Sequence, residues 1–95
     1  MRLLRAESYG EDLERIAEHI ARDKPGAALA MWDEIEAQVE RLGTFPNSGR
    51  RGRLKGTREL VVPRTPFIVV YRIGQDRVEL LRVLRGAQQW PPIAD

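Results

Sequence analysis

The sequence contains no cysteine and a single histidine, His19. These absences exclude a disulfide framework, a thiolate nucleophile and the ordinary zinc sites built from cysteine and histidine. The glycine-rich loops that bind nucleotides, Gly-x-x-x-x-Gly-Lys-Ser/Thr and Gly-x-Gly-x-x-Gly, are also missing. We therefore expect neither a metal nor a cofactor, and the lack of cysteine agrees with a cytoplasmic location.

Long hydrophobic runs are missing as well. No stretch approaches the roughly 18 apolar residues that a membrane span needs, and the N-terminus lacks the apolar core of a signal peptide. A chain of 95 residues with 42% hydrophobic and 32% charged residues is typical of one globular domain. We expect residues 1–95 to form a single domain with a core of two packed layers and no membrane association.

Two helices are predicted in the first half, after a candidate edge strand at residues 2–6. The spacing of Ser8 and Glu11 predicts a capping box, and the helix after it has a charged outer face that includes Asp12. Pro25 favours the first turn of a second helix, and Gly43 is the predicted C-cap of that helix. Apolar residues recur at helical spacing in both: Leu13, Ile16, Ala17 and Ile20, then Ala28, Trp32, Ile35, Val39 and Leu42.

Three strands are predicted in the second half, at residues 59–62, 67–73 and 77–85, with a hairpin turn between the last two. Alternation in the last strand would place Val78, Leu80, Arg82 and Leu84 on one face. The predicted fold class is α+β, with an N-terminal helical hairpin packed on one face of a small antiparallel sheet in the order β-α-α-β-β-β. The second face would be exposed, with Arg72, Arg82 or Arg85 projecting from it.

Charge is divided unevenly along the chain. Residues 1–42 carry 6 Lys/Arg and 10 Asp/Glu, a net charge of −4, and residues 43–95 carry 10 and 4, a net charge of +6. The densest stretch, residues 50–58, holds five cations and no acid: Arg50, Arg51, Arg53, Lys55 and Arg58. It is either a phosphate-binding loop or a solvated loop that keeps a small protein soluble. If this stretch is an exposed loop, the double substitution Arg51→Glu with Arg53→Glu should weaken toxic activity more than it lowers the stability of the fold.

Proton carriers are scarce near these cations. A metal-independent RNA-cutting site needs a base, an acid and cations for the phosphate. Only Glu59 adjoins the basic stretch, while Glu79 is expected to pair with strand arginines and Tyr71 to pack in the core. Trp90 is expected to cover the end of the core rather than to stack on bases, and His19 to be a partly exposed helical residue.

Four segments carry a resemblance to a known family: GTRELVVP at residues 56–63, PFIVVYRI at 66–73, RVELLRVLRG at 77–86 and WP at 90–91. With them, nearly the whole chain resembles the RelE/ParE superfamily of toxins from type II toxin–antitoxin modules, most weakly over residues 1–10. It implies the fold derived above and a growth-inhibiting toxin that a cognate antitoxin binds and neutralises as a hetero-oligomer. The target of such toxins is either mRNA on the ribosome or DNA gyrase.

The residues that RelE-type nucleases share are incomplete in this chain. Ile68 stands where those nucleases resemble one another in having an arginine, and Arg85 stands where many have a histidine. The ParE-like branch, which inhibits gyrase without cutting RNA, is therefore favoured. The alternatives are a ribosome-dependent mRNA endonuclease and a degenerate toxin that binds only its antitoxin.

Two sets of candidate residues follow from the resemblance. The nuclease alternative would draw on Lys55, Arg58, Glu59, Arg82 and Arg85. Binding of the antitoxin or the target would draw on Arg50, Arg51, Arg53, Lys55, Arg58, Arg72 and Trp90.

Overall fold

A computed structural model describes residues 1–86 and 88–92. The elements are β1 (Arg2–Arg5), α1 (Glu7–Ala21), α2 (Pro25–Arg41), a 3-10 turn (Pro46–Ser48), β2 (Arg50–Arg51), β3 (Arg58–Val61), β4 (Phe67–Gly74) and β5 (Arg77–Arg85). The strands form one sheet in the order β1-β5-β4-β3-β2. Helices α1 and α2 pack on one face of it, which confirms the predicted α+β fold with an N-terminal helical hairpin.

The sheet is mixed and five-stranded, whereas a smaller antiparallel sheet was expected. Strand β1 pairs in parallel with β5, where Leu3 lies opposite Val78. Strand β2 is only two residues long and pairs antiparallel with β3, where Arg51 lies opposite Arg58. Its Arg-Arg sequence has no apolar alternation, so nothing in the sequence pattern marks it as a strand.

Both predicted helix caps are wrong. Helix α1 follows Ala6, whose methyl side chain cannot cap, and the Ser8 hydroxyl instead donates to the Leu81 carbonyl at 2.6 Å. Helix α2 is followed by Leu42 in the right-handed conformation, and the Gly43 carbonyl accepts a hydrogen bond from the Met1 ammonium at 2.8 Å. The last carbonyls of α2 accept instead from the local amides of Leu42, Gly43, Thr44 and Phe45.

A bulge in β5 corrects the predicted strand faces. Tyr71 lies opposite Leu80, but the preceding Val70 lies opposite Arg82, so Leu81 is an extra residue in β5. The inward side chains of β5 therefore change parity, and Val83 joins Leu80 in the core under the helices. The prediction that Val78, Leu80, Arg82 and Leu84 share one face is therefore wrong beyond Leu80. Val78 and Leu80 face the helices, whereas Arg82 and Leu84 lie on the second face, opposite Val70 and Ile68.

The core lies between the helical hairpin and the sheet. Its buried side chains come from both layers and include Tyr9 and Leu13 on α1, Ile35 and Val39 on α2, and Val69, Tyr71 and Leu80 on the sheet. The second face of the sheet is less open than predicted, because Ile68, Val70 and Leu84 on that face are also buried. The chain after β5 reaches this side, where Arg53 Nη1 donates to the Gln88 carbonyl.

Candidate binding site

The basic stretch is an ordered hairpin at the edge of the sheet. We call residues 50–58 the basic hairpin. The Gly52 amide donates to the Thr57 carbonyl at 2.8 Å, and the amide and hydroxyl of Thr57 both donate to the Leu54 carbonyl. Gly56 has a φ of 82°, which lets the chain turn without strain. The backbone that carries the five cations is therefore fixed before any partner arrives.

A buried carboxylate organises this hairpin. Glu59 is 1% exposed, and its Oε2 accepts hydrogen bonds from the Arg53 amide at 2.9 Å and from Arg53 Nε at 3.1 Å. Its Oε1 accepts from Arg50 Nη2 at 3.3 Å. Burial alone would raise the pKa of Glu59, but the hydrogen bonds from Arg53 and Arg50 outweigh it and lower the pKa. The group is thus a charged structural anchor whose lone pairs are occupied.

Tyr71 fixes the turn that enters the basic hairpin. Its hydroxyl donates to the Pro46 carbonyl at 2.6 Å and accepts from the Gly49 amide at 2.8 Å. Arg58 Nη1 donates to the Gly49 carbonyl at 2.8 Å. Burial raises the pKa of Tyr71, with the Gly49 amide and Arg58 opposing it, so the phenol keeps its proton at neutral pH. The expected core position of Tyr71 is confirmed.

Two cations of the basic hairpin remain available. Arg51 and Lys55 are exposed, and within the described chain neither forms an ion pair with a carboxylate. With Arg53 and Arg58 they line a depression whose floor includes Ile73, together with Gly52, Gly56 and Thr57. The five cations are therefore divided, because Arg50 and Arg53 hold the hairpin together while Arg51 and Lys55 face solvent.

Asp12 is buried against the sheet, which contradicts its predicted position on a solvated helix face. It was assigned to the charged outer face of α1, yet it is 2% exposed and inserts against β5. Its carboxylate accepts from Arg82 Nε at 2.6 Å, Arg82 Nη2 at 3.1 Å, the Val83 amide at 2.9 Å and Arg15 Nη2 at 2.9 Å. Burial opposes ionisation, but these donors outweigh it and lower the pKa of Asp12.

The remaining candidates lie apart from the basic hairpin. Arg82 is held by Asp12, and its guanidinium lies 5.3 Å from the centroid of the Trp90 ring. Arg85 lies 5.8 Å from the centroid of the Phe67 ring and lines a depression that also includes residues of α1. Of the nuclease candidates, Lys55, Arg58 and Glu59 thus belong to or adjoin the basic hairpin, while Arg82 and Arg85 lie on β5 beside other groups.

Arg72 lies at the turn end of the second face. As predicted for strand arginines, it pairs with Glu79, which also forms an ion pair with Arg77, whose Nε lies 2.9 Å from Glu79 Oε2. The hydrogen bond from Arg72 is the main cause that lowers the pKa of Glu79.

Among the described residues, no three carboxylate or imidazole side chains cluster closely enough to hold a metal ion. No helix in the described part of the chain has both the length and the apolar composition needed to cross a membrane.

The division of the cations yields a prediction on stability. Arg51→Glu should change the free energy of unfolding by less than about 0.5 kcal/mol, because an exposed side chain without a fixed partner contributes little. Arg53→Glu should cost about 2 to 3 kcal/mol, because it sets a second carboxylate against buried Glu59 and removes the Arg53 donor. Because Arg53 is paired with buried Glu59, this prediction replaces the expectation that both substitutions would spare stability. Chemical denaturation of each single variant measures the difference, and equal losses would contradict it.

Comparisons with known proteins agree on one family. The family described as "ParE toxin of type II toxin-antitoxin system, parDE" matches residues 5–90. A candidate toxin of Sinorhizobium fredii, Y4kP, is 44% identical over 81 residues, which cover 85% of this chain and 83% of that protein.

Two solved structures share the fold. A structure of the chromosomal ParDE toxin–antitoxin system of P. aeruginosa superimposes with a TM-score of 0.84 at 30% identity, covering 90% of this chain and 95% of that chain. A conserved hypothetical protein of Helicobacter pylori, HP0894, has a TM-score of 0.52 at 18% identity over 93% of this chain and 97% of that one. The latter likeness concerns the fold alone.

Proposed function

Since this chain belongs to the ParE toxin family of type II toxin–antitoxin systems, we propose that it stops growth by inhibiting DNA gyrase and that a cognate antitoxin neutralises it. The action on gyrase is proposed to be stoichiometric binding, without a chemical step on RNA. The antitoxin is proposed to form a hetero-oligomer with the toxin.

The observation that carries this proposal is the state of the residues that could move protons near the basic hairpin. Glu59 is buried, ionised and bonded to Arg53 and Arg50, and Tyr71 is buried with its hydroxyl already bonded on both sides. Ile68, at the position where nucleases of the superfamily resemble one another in having an arginine, is buried in the second face. An RNA-cutting site would need a base and an acid free to reach the substrate, and this arrangement favours binding over catalysis.

The second candidate function, ribosome-dependent mRNA cleavage, is favoured by one observation. The depression of the basic hairpin gathers Arg51, Arg53, Lys55 and Arg58, and such a group of cations would suit a phosphate. Arg85, the other group considered for this chemistry, lies beside Phe67 and α1. Within residues 1–86 and 88–92, cleavage would therefore have to proceed without an unbonded proton carrier beside these cations, because Glu59 is buried and already bonded to Arg50 and Arg53.

An experiment in cells separates the two functions. The toxin is induced briefly, and plasmid topology and RNA 5′ ends are then measured in the same culture. Inhibition of gyrase predicts relaxed or broken plasmid and no new 5′ ends within translated codons. New 5′ ends at codons with unchanged plasmid supercoiling would reject the gyrase proposal in favour of the nuclease, and growth arrest with neither change would reject both.

We propose that the surface facing the antitoxin or the target includes the basic hairpin, Arg72 and Trp90. The hairpin residues of this surface are Arg50, Arg51, Arg53, Lys55 and Arg58. Its support is the net charge of +6 over residues 43–95, which would attract an acidic antitoxin segment before apolar anchors dock. A charged surface of this kind raises the association rate more than it slows dissociation.

The antitoxin should therefore bind at a rate that depends on salt. Raising the salt concentration from about 50 to about 500 mM should slow association with the antitoxin at least about 10-fold, because screening shortens the reach of the cations. Stopped-flow fluorescence with the Trp residues as probes measures the rate. An association rate that stays constant over this range would show that the charge asymmetry has no part in recognition.

A further inference from the structure

The depression on the basic hairpin has a lining suited to an anion. Arg51, Arg53, Lys55 and Arg58 line it, and within residues 1–86 and 88–92 it has no acidic lining residue. The buried carboxylate of Glu59 neutralises part of the charge of Arg50 and Arg53. Arg51 and Lys55 are therefore the cations most available to a ligand. A site built in this way would bind an extended polyanion rather than a small neutral molecule.

The backbone of the hairpin is compact and pre-organised. A Cβ on Gly52 would lie 2.2 Å from Thr57 Oγ1, so the two strands approach here more closely than side chains would permit. A Cβ on Gly56 would meet nothing within 4 Å, so the chain at this tip is open to an approaching ligand. The buried carboxylate of Glu59 holds the Arg53 amide in place beneath them. Little backbone entropy would remain to be lost when an anion binds.

The chemistry of the lining favours a double-stranded phosphate backbone over a single strand. Proteins that bind single strands stack successive bases on aromatic side chains. The lining that the structure describes contains no aromatic residue: Tyr71 is buried with its hydroxyl bonded, and Trp90 packs against Arg82. An acidic antitoxin segment would be attracted by the same cations, but its apolar anchors would have to dock outside the depression, because Ile73 is the only large apolar residue in the described lining.

We propose that the basic hairpin binds the phosphate backbone of duplex DNA, so that the toxin contacts the DNA held by gyrase as well as the enzyme. This inference rests on the proposed function, because gyrase is the target that brings duplex DNA to the toxin. Contacts to phosphates carry no sequence information, so the binding is independent of sequence. It strengthens the toxin on its target by adding a second point of attachment.

The expected strength of this binding follows from the number of cations. About three phosphate contacts give a slope of log affinity against log salt of roughly −2.7. They come from Arg51, from Lys55 and from Arg58, whose guanidinium uses only Nη1 for the Gly49 carbonyl within the described chain. Affinity for duplex DNA should then fall roughly 40-fold between 50 and 200 mM salt. Removing Arg51 and Lys55 should reduce the slope by about 2, because each lost phosphate contact lowers it by about 1.

Fluorescence anisotropy with a labelled 20-base-pair duplex and the purified full-length toxin tests the inference. Arg51→Ala with Lys55→Ala should weaken binding at least 10-fold at 50 mM salt. The matched control, Arg22→Ala with Lys24→Ala, removes the same charge from exposed positions in the link between α1 and α2 and should change affinity less than 2-fold. Circular dichroism should show both variants folded.

Several outcomes would overturn the inference. The first is an equal loss of duplex affinity in the Arg51/Lys55 variant and in the Arg22/Lys24 control. The second is tighter binding of single-stranded DNA than of duplex DNA by the wild type. The third is an Arg51/Lys55 variant that loses affinity for the antitoxin but keeps its affinity for duplex DNA. An assay with gyrase then separates this failure from failure of the proposed function. If the Arg51/Lys55 variant inhibits gyrase as well as the wild type does, DNA contact by the hairpin is rejected while gyrase remains the target. If the wild type binds duplex DNA but leaves gyrase active, the target is wrong.

Discussion

The Asp12→Ala variant should lose about 3 to 4 kcal/mol of its free energy of unfolding. The substitution leaves the Arg82 guanidinium without its carboxylate and the Val83 amide, on the unpaired edge of β5 beyond β1, without its acceptor. Removing one partner of a buried, hydrogen-bonded ion pair typically costs 3–5 kcal/mol, and partial exposure of Arg82 places this pair toward the lower end. A small domain has a total stability of about 5–15 kcal/mol, so the variant should be marginally folded.

Denaturation with urea, compared with Asp33→Ala, measures this effect. Asp33 is an exposed aspartate on α2, so its replacement controls for the change in helix propensity and net charge. We expect Asp33→Ala to change stability by less than about 0.5 kcal/mol. A loss below about 1 kcal/mol for Asp12→Ala would mean that Asp12 does not join α1 to the bulged part of β5.

The Glu59→Ala variant should lose about 3 kcal/mol and loosen the basic hairpin. It removes the acceptor for the Arg53 amide and leaves the Arg50 and Arg53 guanidinium groups next to each other without a counter-charge. Because Glu59 lies on β3 opposite Arg50 on β2, the pairing of these two short strands depends on it. The cations would remain in the sequence but lose their fixed arrangement.

Hydrogen exchange locates this effect in the structure. The Gly52 amide, which donates to the Thr57 carbonyl, should exchange at least about 10-fold faster in Glu59→Ala, since opening of the hairpin becomes easier. Glu79→Ala is the matched control, because Glu79 is also a strand glutamate bonded to two arginines but sits near solvent. The Gly52 amide should be unaffected in that variant. Equal protection of Gly52 in the wild type and in Glu59→Ala would refute the anchoring role of Glu59.

Periodicity in the sequence predicts the layers of this fold well. The helix stripes and the apolar run of residues 67–73 depend on burial of one face or both, and burial leaves a regular pattern in the chain. Strand β5 was predicted with its observed bounds, Arg77–Arg85. The resemblance to the RelE/ParE superfamily implies the same fold, and the match to the ParE toxin family confirms that resemblance.

The features that the sequence analysis missed depend on contacts between distant residues. The bulge at Leu81 shifts the faces of β5, and no residue type in that strand signals an extra residue. Asp12 occupies a position that fits a solvated helix face, and only its approach to β5 turns it into a buried anchor. Strand β2 was interpreted as a loop because two arginines have no strand pattern. Its pairing with β3 sets Arg50 opposite Glu59, to which Arg50 is also ion-paired.

The candidate site was predicted in composition but not in arrangement. The five cations of residues 50–58 were identified, yet their separation into structural and available groups depends on which of them reach Glu59. Arg50 and Arg53 do so, while Arg51 and Lys55 point toward solvent. Counting charges along the chain cannot make this distinction, since it depends on the register between β2 and β3.

The supercoiling activity of purified gyrase in the presence of the purified toxin tests the proposed function most directly. Relaxed plasmid, gyrase and ATP are incubated with micromolar toxin, with and without an equimolar amount of the cognate antitoxin. We predict that the toxin inhibits supercoiling, that the antitoxin restores it, and that the Arg22/Lys24 control variant inhibits as the wild type does. Unchanged supercoiling at micromolar concentrations of folded toxin would contradict the proposal that gyrase is its target.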